Sequence, residues 1–220
     1  MAAQTPEDTH YQLEEGHLCI DFVNTAYIRF DEDMPFGYEQ VDDRLTDLAA
    51  IGTWGAEVGV ITPEDADSVS QATDGRLSQF IELREALRRL IRARLSEQAI
   101  PAATLATINA TIPPVLTHTR LAAVGDGFHL EMDPLCAGEE PDHALDHLIW
   151  AIGQSAIDLL TDADELDMIR ECPGEDCGYL FRDTSRGRRR WCSMKTCGNR
   201  AKVQRFRDRQ KHDHEHEHVA

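Results

Sequence analysis

The chain has 220 residues and a formal net charge of −18, and 41% of its residues are hydrophobic. It is long enough for one substantial domain together with a smaller one, and apolar enough to form a core. The first 17 residues are polar and acidic, and no stretch approaches about eighteen uninterrupted apolar residues. These features argue against a secretory leader or a membrane span and predict a soluble, cytoplasmic protein.

The first segment with a structural pattern is the apolar run Leu18–Thr25, which follows a loose lead-in over residues 1–12. Its length fits a short buried strand or the first turns of a core helix, and periodicity does not decide between them. The polar pair Asn24 and Thr25 at its end either caps the next element or lines a pocket. Asp21 and Asn24 are therefore weak candidates for a ligand-binding site.

Five helices are predicted downstream of a surface loop at residues 29–40. They are expected at about residues 42–59, from Pro63 with Thr62 as N-cap, at 78–96, at 102–110 and at 143–160. The pair Pro113–Pro114 is expected to end the fourth helix. In the helix at 78–96 an apolar stripe faces the core, and Arg84 and Arg88 are expected to lie elsewhere.

A β-hairpin is predicted where residues 121–124 and 128–132 flank the sequence Gly125-Asp126-Gly127. Two strands are rarely stable alone, so the hairpin is expected to pack on the helices or to pair with Leu18–Val23. The first 169 residues are therefore predicted to form a mostly helical body with a small sheet.

Charge is divided unevenly along the chain. Residues 1–169 carry nine Lys or Arg against 32 Asp or Glu, a net charge of −23, whereas residues 170–211 carry thirteen against five, a net charge of +8. Such a division is typical of an acidic body joined to a module that binds polyanions. An acidic surface that serves only solubility explains the body equally well, but it does not explain the basic block.

Four cysteines lie within the basic block in two pairs of equal spacing. Four residues separate Cys172 from Cys177 and Cys192 from Cys197, and fourteen separate the two pairs. In a reducing compartment, paired cysteines are more often metal ligands than disulfides. Zn²⁺ accepts four thiolates in a closed tetrahedral site, so the pattern predicts one structural zinc. An iron–sulfur cluster or unrelated thiols are the alternatives.

The residues around these ligands suit a small metal module, and Cys19 and Cys136, which stand apart, are expected to be unliganded. Gly178 can take the positive φ that a tight metal turn requires. Asp183 and Ser185 can support the following loop through side-chain hydrogen bonds. Zinc binding is expected to supply much of the folding free energy of the module.

Basic side chains are concentrated in the loop before Trp191 and in residues 200–210, which lack Gly and Pro and are expected to form a helix. On that helix Val203, Phe206 and Gln210 are expected to point inward, opposite a basic face. Arginine forks match phosphate oxygens and guanine edges. The candidate nucleic-acid-binding residues are Arg186, Arg188, Arg189, Arg190, Arg200, Lys202, Arg205 and Arg209. The alternative is that these cations pair with carboxylates of the acidic body.

Two motifs resemble known families. The pattern C-x4-C-x3-F-x-D-x-S, followed by R-R-W-C-S-M-x-x-C-G-N-R, spans Cys172–Arg200 and resembles the CGNR zinc finger. The stretch LCIDFVNT at Leu18–Thr25 is similar to the opening of the ABATE domain of stress-induced transcription regulators. The resemblance covers nearly the whole chain, loosely in its middle, and implies an intracellular bacterial protein whose finger binds DNA.

We therefore expect an α+β protein with an acidic, predominantly helical ABATE-like body over residues 1–169. A zinc finger over residues 170–211 ends in a basic helix, and the His- and acid-rich tail over residues 212–220 is expected to be disordered. The expected function is transcription regulation, in which the finger contacts DNA and the body senses a ligand or mediates assembly, for example as a homodimer. The alternative is a zinc-stabilised protein-interaction module whose basic face pairs with the body or a partner protein. Only Asp21, Asn24 and scattered histidines favour an enzyme, so no catalytic activity is expected.

Overall fold

The computed structural model describes residues 17–30, 38–73, 75–125, 127–132, 141–174 and 177–217. The chain divides into two compact units. Residues 1–25 and 43–167 form the first, called the body unit, and residues 26–42 and 168–220 form the second, called the finger unit. The predicted lead-in at residues 1–12 and the thiol of Cys136 lie outside the described residues.

Helices dominate the described part of the body unit. They are α1 (Leu18–Val23), α2 (Leu48–Glu57), α3 (Pro63–Val69), α4 (Arg76–Leu95), α5 (Ala102–Thr117), α6 (Pro141–Thr161) and α7 (Ala163–Leu166). Helices α1 and α5 both pack against α4 and α6, and α2 packs against α3. No helix among the described residues is long and apolar enough to cross a membrane.

The run Leu18–Val23 is a helix at the centre of the body unit, so the helical alternative is the correct one. Five of its six residues are buried, which explains why the run shows no amphipathic period. The Phe22 ring lies 5.4 Å from the Trp54 ring and 6.2 Å from the Phe80 ring, measured between centroids. These contacts join α1 to α2 and α4.

The predicted start of α3 at Pro63 is confirmed. The Thr62 hydroxyl accepts the N–H of Asp65 at 3.1 Å, and the Asp65 carboxylate accepts the N–H of Thr62 in return. This reciprocal capping box satisfies two N–H groups that the first turn leaves without helical partners.

Helix α5 does not end at its prolines, contrary to the prediction, and both Pro113 and Pro114 lie inside it. Each proline removes one N–H from the helix ladder. The turn beyond them is held by packing, because Val115 is fully buried and a Cβ at Gly153 of α6 would lie 2.8 Å from its side chain. Tertiary contact thus overrides the local preference.

The predicted hairpin is confirmed as β3 (Thr119–Val124) and β4 (Gly127–Met132), which pair antiparallel with Leu121 opposite Leu130. Among the described residues these strands form their own two-stranded sheet. They do not pair with Leu18–Val23, because that segment is helical.

The finger unit combines short strands with the C-terminal helix. Its described elements are β1 (Ala26–Phe30), β2 (Tyr38–Asp43), β5 (Ile169–Glu171), β6 (Leu180–Arg182), a π-helical turn (Met194–Gly198) and α8 (Asn199–Glu217). The last residue of β2, Asp43, already belongs to the body unit. The prediction of a surface loop at residues 29–40 is wrong at both ends, because residues 29–30 belong to β1 and residues 38–40 belong to β2. Residues 31–37 lie outside the described part of the chain. Helix α8 includes residues 212–217, where disorder was predicted. The predicted class, a mainly helical α+β protein with small antiparallel sheets and a C-terminal four-cysteine module, is confirmed.

Candidate metal centre and nucleic-acid interface

The four paired cysteines converge in the finger unit. The Sγ atoms of Cys172, Cys177, Cys192 and Cys197 all lie within 4.8 Å of one another. The Sγ of Cys192 is 3.6 Å from those of Cys177 and Cys197. A tetrahedral zinc ion about 2.3 Å from each thiolate places the sulfurs about 3.8 Å apart, so the cluster has the size that zinc needs. The four cysteines hold one structural zinc, as predicted.

Short elements deliver each ligand. Strand β5 leads into Cys172, whose N–H donates to the carbonyl oxygen of Tyr179 at 2.9 Å just before β6 begins. Cys197 lies in the π-helical turn, which Ser193 caps by accepting the N–H groups of Lys195 and Thr196. Cys172 and Cys177 therefore come from the connection between β5 and β6, Cys192 from the residue before the cap, and Cys197 from the capped turn.

The crowded thiols perturb one another's pKa values. Hydrogen bonds from Cys177 and Cys192 lower the pKa of Cys172 to about 2, and the N–H of Cys192 at 3.4 Å from the Cys172 sulfur acts in the same direction. The same sharing raises the pKa of Cys177 to about 12, and hydrogen bonds with Cys172 and Cys177 raise the pKa of Cys192 as well. A divalent cation suits the site because it allows all four groups to be thiolates at once.

Apolar side chains pack around the cysteine cluster, and a glycine forms the turn after Cys177. Phe181 is 1% exposed, and Tyr179 and Trp191 pack against the cysteine cluster. Gly178 has φ +54°, as the sequence predicted for a tight metal turn, and a Cβ there would lie 2.1 Å from Cγ1 of Ile28. Strand β1 therefore packs directly on the turn that follows Cys177.

The Asp183 carboxylate organises the loop that carries the arginines. One oxygen accepts the N–H of Ser185 at 2.8 Å and its hydroxyl at 2.5 Å, and the other accepts the N–H of Gly187 at 2.7 Å. The Ser185 hydroxyl in turn accepts the N–H of Arg189 at 2.6 Å. These bonds, led by that from the Ser185 hydroxyl, lower the pKa of Asp183. The predicted support of the loop by Asp183 and Ser185 is confirmed.

Arg189 differs from the other loop arginines because its guanidinium turns toward the framework. It donates to the carbonyl oxygens of Cys192 at 2.7 Å and Arg182 at 3.1 Å, with a longer contact to that of Trp191 at 3.4 Å. Its guanidinium carbon also lies 4.7 Å from the centre of the Phe181 ring. These contacts engage all three nitrogens of the guanidinium, so Arg189 stabilises the finger.

The other seven candidate cations point outward. Arg186, Arg188 and Arg190 are exposed in the loop, and Arg190 lies over the Trp191 ring at 5.7 Å. The exposed candidates on α8 are Arg200, Lys202, Arg205 and Arg209. Val203, Phe206 and Gln210 were predicted to face inward, but the first two are 49% and 55% exposed and Gln210 is exposed as well. The inward prediction is wrong because α8 extends beyond the π-helical turn that packs against its start.

The ligand candidates Asp21 and Asn24 are buried in the body unit, 6% and 5% exposed, and Asn24 is the C-cap of α1. Two buried arginines lie close by in the fold, which the sequence analysis missed. Arg84 donates to the Thr25 hydroxyl at 3.3 Å and to both Asp43 oxygens at 2.6 Å, and Arg88 donates to the carbonyl oxygen of Val23. These arginines were expected outside the core.

A sequence signal could have revealed this burial. Arg84 follows Phe80 by four residues and Arg88 follows Arg84 by four, so both fall on the apolar stripe of α4. The thiol of Cys19 is buried in the described part of the body unit and is not one of the four clustered cysteines, and burial raises its pKa to about 12.

Family models match the chain in two consecutive segments. Residues 16–163 match the ABATE model, described as "Putative stress-induced transcription regulator", and residues 168–210 match the CGNR zinc finger. Neither model describes an enzyme family. No curated protein matches the chain.

Proposed function

We propose that this chain, which belongs to the ABATE family and ends in a CGNR zinc finger, is a DNA-binding transcription regulator. The finger unit contacts DNA through its arginine loop and through α8. The acidic body senses a ligand or mediates assembly, for example as a homodimer. The protein acts in the cytoplasm, where a reducing environment keeps the four thiols available to zinc.

A zinc-fixed frame that presents seven exposed cations supports DNA binding. The loop is held by Asp183 and Arg189, so Arg186, Arg188 and Arg190 project from an ordered support. Ordered cations lose less conformational entropy when they meet phosphates than cations on a mobile chain. Neutralising phosphates also releases counterions from DNA, which makes the affinity depend on salt.

Salt-dependent binding of the zinc-loaded full chain to duplex DNA tests the proposal. If about five cations contact phosphates, log K should fall with log salt with a slope of roughly −4 to −5. The variant Arg186→Ala/Arg188→Ala/Arg190→Ala should reduce the size of that slope by up to about 3. Arg94→Ala is the matched control, because Arg94 is an exposed arginine of the body unit paired with Asp167. Binding that ignores salt, or no binding at low salt, would contradict the proposal.

The acidic body provides the competing function, a protein-interaction module whose basic face is occupied by carboxylates. Genomic immunoprecipitation separates the two. A DNA-binding finger predicts fewer occupied sites for the triple loop variant than for the wild type. Equal occupancy for both proteins, or none for either, favours the interaction module.

The ligand-sensing part of the proposal concerns Asp21 and Asn24. The residues on either side of Asn24, Val23 and Thr25, accept hydrogen bonds from buried arginines. Buried polar groups of this kind fix the orientation of small ligands in many proteins. Native mass spectrometry of the purified protein should detect a bound small molecule that the variant Asn24→Ala loses. Identical spectra for both proteins would argue against ligand binding there.

A further inference from the structure

Helix α8 presents its apolar side chains on the outside. Val203 and Phe206 are 49% and 55% exposed, and Gln210, four residues further on, is exposed as well. The spacing of three and four residues places the three side chains in one stripe along the helix. A core-facing stripe would be buried, so this one is available to a partner.

Basic residues flank this stripe on both sides. Arg200 and Arg207 lie on one flank, and Lys202, Arg205 and Arg209 lie on the other. At about 100° per residue, each row is centred about a quarter of a turn from the stripe. All five side chains are exposed.

We propose that α8 lies in the major groove of duplex DNA with Val203, Phe206 and Gln210 against the base edges, and that this stripe favours A·T pairs. The inference rests on the proposed DNA binding by the finger, and it identifies the surface of α8 that contacts the bases. A major groove about 12 Å wide admits one helix, and its two walls are phosphate backbones. Two basic rows on opposite flanks match those two walls.

Charge and area favour DNA over the other occupants of such a stripe. A coiled coil with a second copy needs apolar positions sustained over three or four heptads, whereas this stripe has two apolar residues between basic rows. A helix that lies in a membrane surface needs a broad apolar face, which two side chains do not provide. In a DNA groove, short apolar contacts combined with many phosphate contacts are the usual arrangement.

The stripe has the chemistry that A·T pairs offer. Apolar side chains contact the C5 methyl of thymine, and a glutamine amide can bond adenine at N6 and N7. Val203 and Phe206 supply the first kind of group and Gln210 supplies the second. Asn199, the first residue of α8, donates through its side chain to the carbonyl oxygen of Lys195 at 3.1 Å, so its amide serves the start of the helix.

The metal site fixes the direction in which α8 leaves the finger. The helix begins two residues after Cys197, and the N–H of Gly198 donates to the carbonyl oxygen of Ser193 at 2.9 Å. The π-helical turn that Ser193 caps contacts the start of α8 and leads into it with no intervening loop. The stripe and both rows are therefore presented in a defined orientation.

Replacing thymine by uracil tests the proposal, because it removes only the C5 methyl. The zinc-loaded full chain is titrated with an alternating dA·dT duplex, with the same duplex containing deoxyuridine, and with a dG·dC duplex. Wild type should bind the thymine duplex most tightly and lose about fourfold in affinity for each methyl contact removed. The variant Val203→Ala/Phe206→Ala should bind the thymine and uracil duplexes equally. Gln204→Ala, on another side of α8, should discriminate as the wild type does.

The outcomes separate this inference from the proposed function. If wild type binds the thymine and uracil duplexes equally, the base-reading stripe is wrong while DNA binding stands. If it binds no duplex at low salt, the proposed function fails and this inference with it. Sedimentation measures whether the wild type forms a dimer and whether it binds phosphatidylglycerol vesicles. If the double variant loses the dimer while its duplex affinities stay unchanged, the stripe binds a second copy of the chain. If it loses vesicle binding instead, the stripe binds a membrane surface. Zinc content and circular dichroism confirm that each variant is folded.

Discussion

The guanidinium of Arg189 donates a 2.7 Å hydrogen bond to the carbonyl oxygen of Cys192, a ligand of the zinc. It also bonds the last residue of β6, Arg182, and lies over the Phe181 ring. Arg189 therefore joins the β5–β6 hairpin to the segment that enters the second ligand pair. Its neighbours Arg188 and Arg190 are exposed. The same run of arginines therefore contains one residue that stabilises the finger and two that lie on its surface.

Arg189→Ala should destabilise the finger. Arg188→Ala removes only one exposed hydrogen bond, from the Arg188 Nε to the carbonyl oxygen of Ser185 at 3.0 Å, so it should weaken DNA binding with little loss of stability. The first change removes charge-assisted bonds to carbonyl groups, each with a contribution of about 1.5 to 3 kcal/mol. Transfer of zinc to a chromogenic chelator should be faster for Arg189→Ala than for wild type, and Arg188→Ala should match wild type. Equal transfer rates for all three proteins would show that the Arg189 contacts do not hold the metal segment.

Asp183→Asn should loosen the arginine loop because an amide cannot accept hydrogen bonds at both ends. Hydrogen bonds from Ser185 and from backbone N–H groups lower the pKa of Asp183, so its contribution to stability is present above the unfolded pKa of about 3.9. It is lost only as the pH falls through the lower folded value. The melting temperature of the finger should therefore be lower in the variant than in the wild type, and this difference should be the same at every pH from about 6 to 8. A difference that changes over this range would contradict the assignment.

Zinc analysis should find one ion per chain, and Cys172→Ser should weaken its retention. Cys19→Ser is the matched control, because Cys19 is buried in the body unit and should leave the zinc content unchanged. Chelation should change the emission of Trp191, which packs on the cysteine cluster, and Trp191→Phe should remove that change. Zinc affinity should fall with falling pH because protons compete for the thiolates. Full zinc content in Cys172→Ser with unchanged affinity would contradict the ligand set.

The metal site was predictable because its information is local in the sequence. Cysteine spacing gave the ligands, and the two-residue offset between Asp183 and Ser185 gave the loop support. The Thr62 cap was equally local. Each of these features depends on side chains that meet across a few residues, so a pattern in the sequence is enough.

The missed features depend on contacts between distant residues. Asp43 pairs with Arg84, 41 residues away, and that partner lets a charged side chain lie in the core. Val115 packs on α6 and keeps α5 helical past its prolines. The prediction for Val203 failed because an expected contact is absent among the described residues. Amphipathic spacing shows that a helix has an apolar face, but it does not show whether another element packs on that face.

Asp43→Ala should destabilise the body unit by about 1 to 3 kcal/mol, because the fully buried Arg84 loses its bidentate carboxylate and keeps the ion pair with Glu85, which accepts from its Nε at 3.2 Å. Asp167→Ala removes a carboxylate from an exposed pair with Arg94 and should cost about 1 kcal/mol or less. Urea unfolding followed by the far-ultraviolet helical signal measures both. Similar losses for the two variants would show that burial of Arg84 does not make its pairing more important.

Gly178→Ala should destabilise the finger unit for two reasons. Its φ of +54° is strained for alanine, and its new Cβ would lie 2.1 Å from Cγ1 of Ile28 in β1. Overpacking of this kind typically costs about 1 to 3 kcal/mol. The finger should therefore melt earlier and release zinc faster than in wild type.

A double variant separates the two causes. Ile28→Ala removes the Cγ1 that Gly178→Ala would strike, so the two changes together should be less destabilising than the sum of the single changes. The remaining loss should reflect the backbone strain and the cavity left by the buried Ile28. Strictly additive effects would mean that residue 28 does not pack on the metal turn, and that β1 does not belong to the finger unit. A coupling of about 0.5 kcal/mol or more would establish that strand as part of the zinc-binding fold.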